Sequence, residues 1–568
     1  HMNEQDRDFL REINEEVGTL MGREAPASDL LYTNRRGQRE ALQKKFRLSR
    51  KAVGWIVALV VLAVMVGVGF YAKRHTTDVK GFVLGGRSVG PWLTAFAYGT
   101  SYFSAVIFVG YAGQFGWKFG IASTWIGIGN AVIGSLLAWV VLGRRTRIMT
   151  QHLDSATMPQ FFGERYQSKG LKIASSVIVF IFLIPYTASL YNGLSRLFGM
   201  AFNIDYSVCI VIMSVLTAIY VIAGGYMATA INDFIQGIIM LFGIVVVIAA
   251  VLKINGGFIG SLDGLANIVD ESVSDTPGIF TSFLGPEPLN LLFVVILTSL
   301  GTWGLPQMVQ KFYAIKNEGS IKKGTVISTL FAFVVAGGCY FLGGFGRLFS
   351  DKIEMLEDGV TLKNGFDSII PTMLSDLSPL LIGLVVILVL SASMSTLSSL
   401  VLASSSTLTL DLLKDNVIKN MSEKKQVLSM RILVVFFIAV SAVIALFQYN
   451  TQVNFIAQLM GVSWGALAGA FLAPFMYSLY WKKTTKAACW VSFIFGAGIM
   501  TLNLFFRGSF PTILQSPINC GAFAMVAGLV LVPIVSLLTP KPNQALVEET
   551  FACYNKKTEV AAKENLGE

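Results

Sequence analysis

The chain has 568 residues, of which 54% are hydrophobic and 14% charged, with a formal net charge of +10. That balance excludes a soluble multidomain protein and fits a polytopic helical membrane protein, all-α in class. The five cysteines (Cys209, Cys339, Cys489, Cys520 and Cys553) are odd in number and scattered, so neither a disulfide framework nor a metal cluster is expected.

His1 and Met2 read as a cloning remnant, which leaves His75 and His152 as the histidines and no zinc-ligand set. No phosphate-binding glycine loop, nucleophile elbow or metalloprotease motif occurs. The expectation is therefore a protein that is not an enzyme and carries no cofactor.

Residues 1–52 form a hydrophilic N-terminal extension, in which Phe9, Leu10, Ile13, Val17, Leu20 and Met21 recur at helical spacing among charges. That pattern suits an amphipathic surface helix, and a solvated tail would share it. A hydrocarbon core of roughly 30 Å needs about 20 apolar residues per crossing. Runs of that kind lie at 53–72, 91–113, 120–142, 171–198, 204–223, 227–252, 288–310, 324–346, 378–408, 431–448, 452–480, 487–506 and 520–538, which predicts about 13 transmembrane helices. Residues 539–568 remain as a tail.

The excess of Lys and Arg is distributed for membrane topology rather than for nucleic acid. The segments at 143–147, 311–323, 411–425 and 481–486 are basic and fall on one predicted side, the cytoplasm; the acidic loops at 263–275 and 351–376 fall on the other. This places a multi-pass protein in the cell membrane, with the N-terminus outside and the C-terminus cytoplasmic. Lys44, Lys45, Arg47, Arg50 and Lys51 before the first span oppose Lys73, Arg74, Lys80 and Arg87 after it, so the downstream loops decide the orientation.

Two spans carry helix breakers. One is 97–116, and the other is 297–312, where Gly301, Gly304 and Pro306 lie close together. Counted from the helix at 91, they are the first and sixth of a core. Broken helices five apart point to an inverted five-helix repeat, with substrate and ion held at the midplane where carbonyls are freed.

The helix over 378–408 has a chemical face. Ser391, Ser395, Ser398 and Ser399 share one side, and Thr396 lies about 100° around from Ser395. Hydroxyls in lipid need partners, which helix packing or an ion would supply. A hard monovalent cation takes oxygen ligands of this type.

At these residues the chain resembles the sodium:solute symporter family, which includes sodium/proline, sodium/glucose, sialic acid and monocarboxylate transporters. The motifs are FVLGGRSVGPWLTA (82–95), RRTRIMTQHLDSATMPQFFGERY (144–166), YVIAGGYMATAINDFIQ (220–236) and SASMSTLSS (391–399). The resemblance implies a LeuT-type 5+5 inverted repeat with flanking helices, working by alternating access. Its repeats would be 91–252 and 288–480, flanked by 53–72 and by two C-terminal helices within 487–538.

The same resemblance implies a first sodium site built from Thr100, Phe103, Ala392, Ser395 and Thr396. It also implies a second, closer to the cytoplasm, from Asp233, Ser395, Ser398 and Ser399. Asp233 stands alone in an apolar span, which makes it either functional or paired with a nearby Lys or Arg. Each sodium entering down 100 mV supplies about 2.3 kcal/mol, and a tenfold gradient about 1.4 more. One ion supports accumulation on the order of several hundred-fold, and a second roughly squares that limit.

The expected solute is a small organic anion, a monocarboxylate or an amino acid, lined by Tyr102, Ser104, Tyr186, Ser189, Thr302, Trp303 and Gln307. Ile107 stands where sugar-type relatives carry a polar residue, which argues against a hexose. Thr298 and Thr302 replace the Trp and Tyr of sodium/proline relatives, and Tyr102 replaces their Asp, which argues against proline itself. A sensor module of the same fold, signalling through a partner, and a channel are the alternatives. The partners foreseen are thus solute, sodium and the bilayer, with no nucleic acid.

Overall fold

Long apolar segments can satisfy their backbone in lipid only as helices, and the described residues obey this. The structure, a computed structural model, describes residues 63–73, 78–202, 205–414, 416–451 and 456–558, together with Ile56, Leu59 and Val60. The extension 1–52 and most of the first predicted span lie outside the described residues. Leu62–Glu568 forms one packing unit, and it contains the helical bundle.

After a short apolar helix, Ala63–Ala72, the first long stretch is α1 (Pro91–Gly99), a loosened segment, and α2 (Ala112–Phe119). Helical residues 124–152 form α3, followed by α4 (Met158–Tyr166), α5 (Lys169–Phe202) and α6 (Tyr206–Ile254). Next come α7 (Pro288–Gly304), α8 (Pro306–Ala314), α9 (Glu318–Gly343) and α10 (Pro379–Thr407). The remainder is α11 (Glu423–Thr451), α12 (Ile456–Tyr480), α13 (Lys486–Phe506), α14 (Pro517–Leu538) and α15 (Gln544–Phe551).

Among the described residues nine helices are long and apolar enough to cross a membrane, or ten with the bent pair α7–α8. The sequence predicts thirteen, and three features account for the difference. Pro91–His152 counts as one helix of 62 residues. Drawn straight it would run ~90 Å, about three hydrocarbon cores. It turns instead at Gly120, whose φ of 66° suits glycine. Ser207–Ile219 and Ala63–Ala72 are apolar but short. Finally, α6 folds over at Gly225 (φ 55°, ψ −140°), which separates the two spans predicted there.

Glycine permits the closest approach in the bundle. A Cβ on Gly116 of α2 would overlap the Gly343 carbonyl of α9, and one on Gly343 would overlap the Ala112 carbonyl. Backbone cannot yield as a side-chain tip can, so Gly116→Ala is expected to lower the yield of monodisperse protein in detergent by more than about tenfold. Size-exclusion chromatography at wild-type yield would refute this contact.

Arginines tie both ends. Arg347, after α9, pairs with Asp270 at 2.8 Å, donates to the Trp117 carbonyl at 2.7 Å, and lies 4.0 Å from the Phe280 ring. At the opposite end Arg87 is buried and donates to the Tyr313 carbonyl and the Thr150 hydroxyl, both at 3.1 Å, and to the Ser155 carbonyl at 2.5 Å. Arg147 reaches the Ile315 carbonyl at 2.5 Å and the Arg87 carbonyl at 3.3 Å. The approach to α1 is thereby clamped to the ends of α3 and α8.

Candidate ion and solute site

The first helical break forms where glycine and hydroxyl side chains compete with the backbone ladder. After α1, Thr100–Tyr102 tightens into a 3-10 turn and Phe103 is extended (φ −135°, ψ 124°). Thr100 and Ser101 hydroxyls donate to the Ala97 carbonyl at 3.3 and 3.2 Å. The second break is at Leu305, also extended, where Pro306 removes a donor and α7 meets α8 at 47°. Both breaks fall where the sequence predicts them.

Opposite the first break runs the hydroxyl-rich half of α10, packed on α5 and α6. The Ser395 hydroxyl lies 3.2 Å from the Thr100 hydroxyl and also donates to the Asp233 carboxylate through a short hydrogen bond. The two predicted sodium sets are thus one continuous path, Thr100 to Ser395 to Asp233. The Thr396 hydroxyl meets the Ala392 carbonyl at 3.2 Å, which brings those two predicted ligands together. Phe103 is buried at the same break, with its N–H on the Thr100 carbonyl at 3.1 Å.

Ser393, to which spacing gives no role, accepts from the Ala105 N–H at 3.0 Å and pins the resumed helix to α10. Asp233 is buried and its second oxygen, Oδ2, has no hydrogen-bond partner among the described residues. An orphaned carboxylate oxygen in this setting suits a cation.

One cation is already close. Lys311, in α8, is buried, donates to the Ser399 hydroxyl at 3.1 Å, and acts electrostatically on Asp233. Its ammonium sits 5.5 Å from the Tyr226 ring. Ser399 accepts from that ammonium and Ser398 donates to the Ser395 carbonyl at 2.8 Å, and both hydroxyl oxygens can still accept. Sequence reading counts Lys311 as a loop charge, and the structure buries it beside the carboxylate.

The predicted solute residues separate into two groups. The Tyr102 hydroxyl lies 3.2 Å from the Thr302 hydroxyl, which itself reaches the Gly134 carbonyl at 3.1 Å. The Trp303 indole donates to the Ile133 carbonyl at 2.9 Å. Those three side chains bind α3 to α7 and the first break. Ser104 and Tyr186 meet one another, Ser189 donates to the Tyr186 carbonyl at 2.6 Å, and Gln307 is buried with its Oε1 unpartnered.

Around Tyr186 the structure adds residues that sequence reading misses. Trp464 of α12 stands edge-on at 6.0 Å, and Tyr111 and Tyr340 lie within electrostatic range. The Tyr111 hydroxyl and the indole nitrogen of Trp464 are buried without hydrogen-bond partners among the described residues, and the Tyr340 hydroxyl approaches the Asn130 side chain. Tyr111 follows Ser104 by seven, hence on its helical face, a signal present in the sequence. Tyr340 and Trp464 lie in apolar runs that give none.

Comparison with known proteins decides the assignment. The profile of the sodium:solute symporter family matches residues 82–496, well over half of the chain. The chain belongs to the sodium:solute symporter family. It is a transporter and not an enzyme, and sodium-coupled symport is its activity class. It is 29% identical over 484 residues to the osmoregulated proline transporter OpuE of Bacillus subtilis (strain 168), covering 85% of this chain and 94% of that protein. It is also 29% identical over 506 residues to a sodium/proline symporter of Staphylococcus aureus (strain JH9), covering 87% and 94%.

Among solved structures it matches a Na+-coupled sialic acid symporter in a substrate-bound outward-open state, with TM-score 0.65 at 15% identity, covering 87% of this chain and 99% of that one. The fold is accordingly the LeuT-type arrangement that the family resemblance implies.

Proposed function

We propose that the chain imports a small organic solute, an amino acid or a monocarboxylate-type organic anion, together with sodium by alternating access. The observation that carries this reading is the path from Thr100 through Ser395 to the unsatisfied oxygen of Asp233, facing a break in the first core helix. Sodium is held first by carbonyls of Thr100, Phe103 and Ala392 and hydroxyls of Ser395 and Thr396. Five neutral oxygens hold a monovalent ion loosely enough for release, which coupled transport requires. The oxygens open to a second ion are those of Asp233, Ser395, Ser398 and Ser399, the last shared with Lys311.

The solute lies around Ser104, Tyr111, Tyr186, Tyr340 and Trp464, whose aromatic walls and unsatisfied hydrogen-bonding groups suit a small polar molecule with an apolar body. Tyr102, Thr302 and Trp303 position the wall. The relatives' names put proline into any screen although Thr298, Thr302 and Tyr102 argue against it, beside other amino acids and short carboxylates. The repeats are 91–252 and 288–480, flanked by 53–72 and 487–538, with the C-terminus cytoplasmic and the N-terminus outside.

The test is uptake into proteoliposomes with inward sodium gradients imposed or collapsed. Accumulation of one such solute above its external concentration, only with the gradient present, is expected. Mere equilibration would indicate a channel, and binding without flux a sensor.

A further inference from the structure

Away from the sodium path, at the end of the bundle that the charge pattern assigns to the cytoplasm, the structure contains a cleft of about 570 Å3. It is walled by the C-terminal turn of α4 (Arg165, Tyr166, Gln167), the start of α13 (Thr485, Lys486, Ala487, Trp490) and the tail up to α15 (Pro540, Lys541, Pro542, Asn543, Leu546, Val547). Three cations line it and no carboxylate does. The nearby Glu548 is paired with Lys482 at 2.9 Å.

The buried member of the three is informative. Arg165 is 1% exposed, gives its Nε to the Ser478 carbonyl at 3.3 Å, and has no hydrogen-bond partner at Nη2 among the described residues. Its guanidinium stands 4.9 Å from the Tyr166 ring and 5.3 Å from that of Phe551, so its neighbours are aromatic faces and a carbonyl. A buried cation left in this state lacks the counter-charge that ordinarily offsets its desolvation.

Two helix N-termini open on the same space. In α13 the Ala488 N–H is capped by the Thr485 hydroxyl at 3.2 Å and the Thr485 N–H by Ser536 at 3.2 Å, which leaves the Lys486 and Ala487 N–H groups as donors. In α15 the Asn543 side chain accepts from Ala545 at 3.1 Å. Both helix dipoles favour negative charge there. Trp490 adds the amphipathic ring expected at the level of lipid headgroups.

We propose that this cleft binds a phosphoryl anion, between the Arg165 guanidinium, the Lys486 and Lys541 ammonium groups and the first turn of α13. The bound anion joins the tail to the loop between α3 and α5. The chemistry is shared by an anionic lipid headgroup and a soluble phosphate, which the experiment separates.

The full-length protein in an uncharged detergent is titrated with short-chain phosphatidylglycerol, with inorganic phosphate, and with chloride at matched ionic strength, reading the thermal unfolding midpoint. At least one phosphoryl probe is expected to raise the midpoint where chloride does not. Lys486→Gln/Lys541→Gln, at two exposed positions that tolerate substitution, is expected to weaken the apparent affinity by about tenfold or more. A response to the lipid alone assigns the cleft to headgroups, and a response to phosphate alone to a soluble anion. The proposal is overturned if neither probe exceeds chloride, or if the double variant responds as wild type does. Sodium-driven uptake is measured beside it, because it tests the transport reading and does not depend on this cleft.

Discussion

Lys311→Met is expected to be poorly recovered in sodium-free buffer and to regain yield and thermal stability at high sodium. Asp233 is wholly buried, and the nearby Lys311 ammonium offsets its charge. Removing that ammonium leaves the buried carboxylate uncompensated, which costs on the order of a few kcal/mol. A ligand that binds only the folded state stabilises it by mass action, so sodium substitutes for the lost ammonium at the free Asp233 oxygen.

Asp233→Asn/Lys311→Met removes both charges together and is expected to fold without added sodium. A sodium dependence of uptake with a Hill coefficient of about one is then expected in that variant, since the second ion has lost its carboxylate. The measurements are fluorescence-detected chromatography with and without sodium, followed by uptake at graded sodium. Wild-type recovery of Lys311→Met without sodium would separate the two residues energetically.

Arg87→Ala is expected to shift the protein toward the conformation open at the charge-assigned cytoplasmic end. Arg87 satisfies carbonyls on two elements, at Tyr313 and Ser155, and sits beside Arg147, which holds Ile315. These bonds must separate for that end to open, because Val89 and Ile315 also bridge there. Losing a buried guanidinium orphans several acceptors at about 1–3 kcal/mol each, and an equilibrium moves tenfold for each 1.4 kcal/mol.

The reporter is a cysteine at Ala403, which lines a small cavity with Thr157, Pro306 and Tyr313 just inside the clamp. The five native cysteines are buried. Ala403→Cys is expected to react with a membrane-impermeant maleimide at least about tenfold faster when Arg87 is Ala. Equal rates would mean that the clamp does not gate this end.

The legible part of the fold was carried by backbone chemistry. Gly301, Gly304 and Pro306 mark the second break because proline removes a donor and glycine lets α7 approach α12, where a Cβ on Gly304 would stand 2.8 Å from the Leu472 nitrogen. Ser395 and Thr396 stand out because hydroxyls in an apolar run need a partner. The two-fold fate of the aromatic candidates was not legible. Tyr102 reaches Thr302 because glycine at position 134 leaves room beside it, and a pairing between helices leaves no trace in one sequence.

Charge misled in a consistent way. Lys311, Arg87 and Arg147 all belong to segments read as basic loops at the membrane edge, and the structure buries each of them. A charge count orients a span, yet it cannot say whether a given cation faces water or ends beneath the helices. Lys311 therefore stands beside Asp233 unannounced, and the two arginines became a clamp. The same blindness hid Arg165.

The proposed coupling requires one ion held between the first helical break and α10. Equilibrium binding of radiolabelled sodium to the purified protein, comparing wild type with Ser395→Ala/Thr396→Ala, measures that ion without the steps of transport. Saturable binding in the wild type, with an affinity weakened by at least about a hundredfold in the double variant, is the predicted result. Equal sodium binding by the two proteins would contradict it.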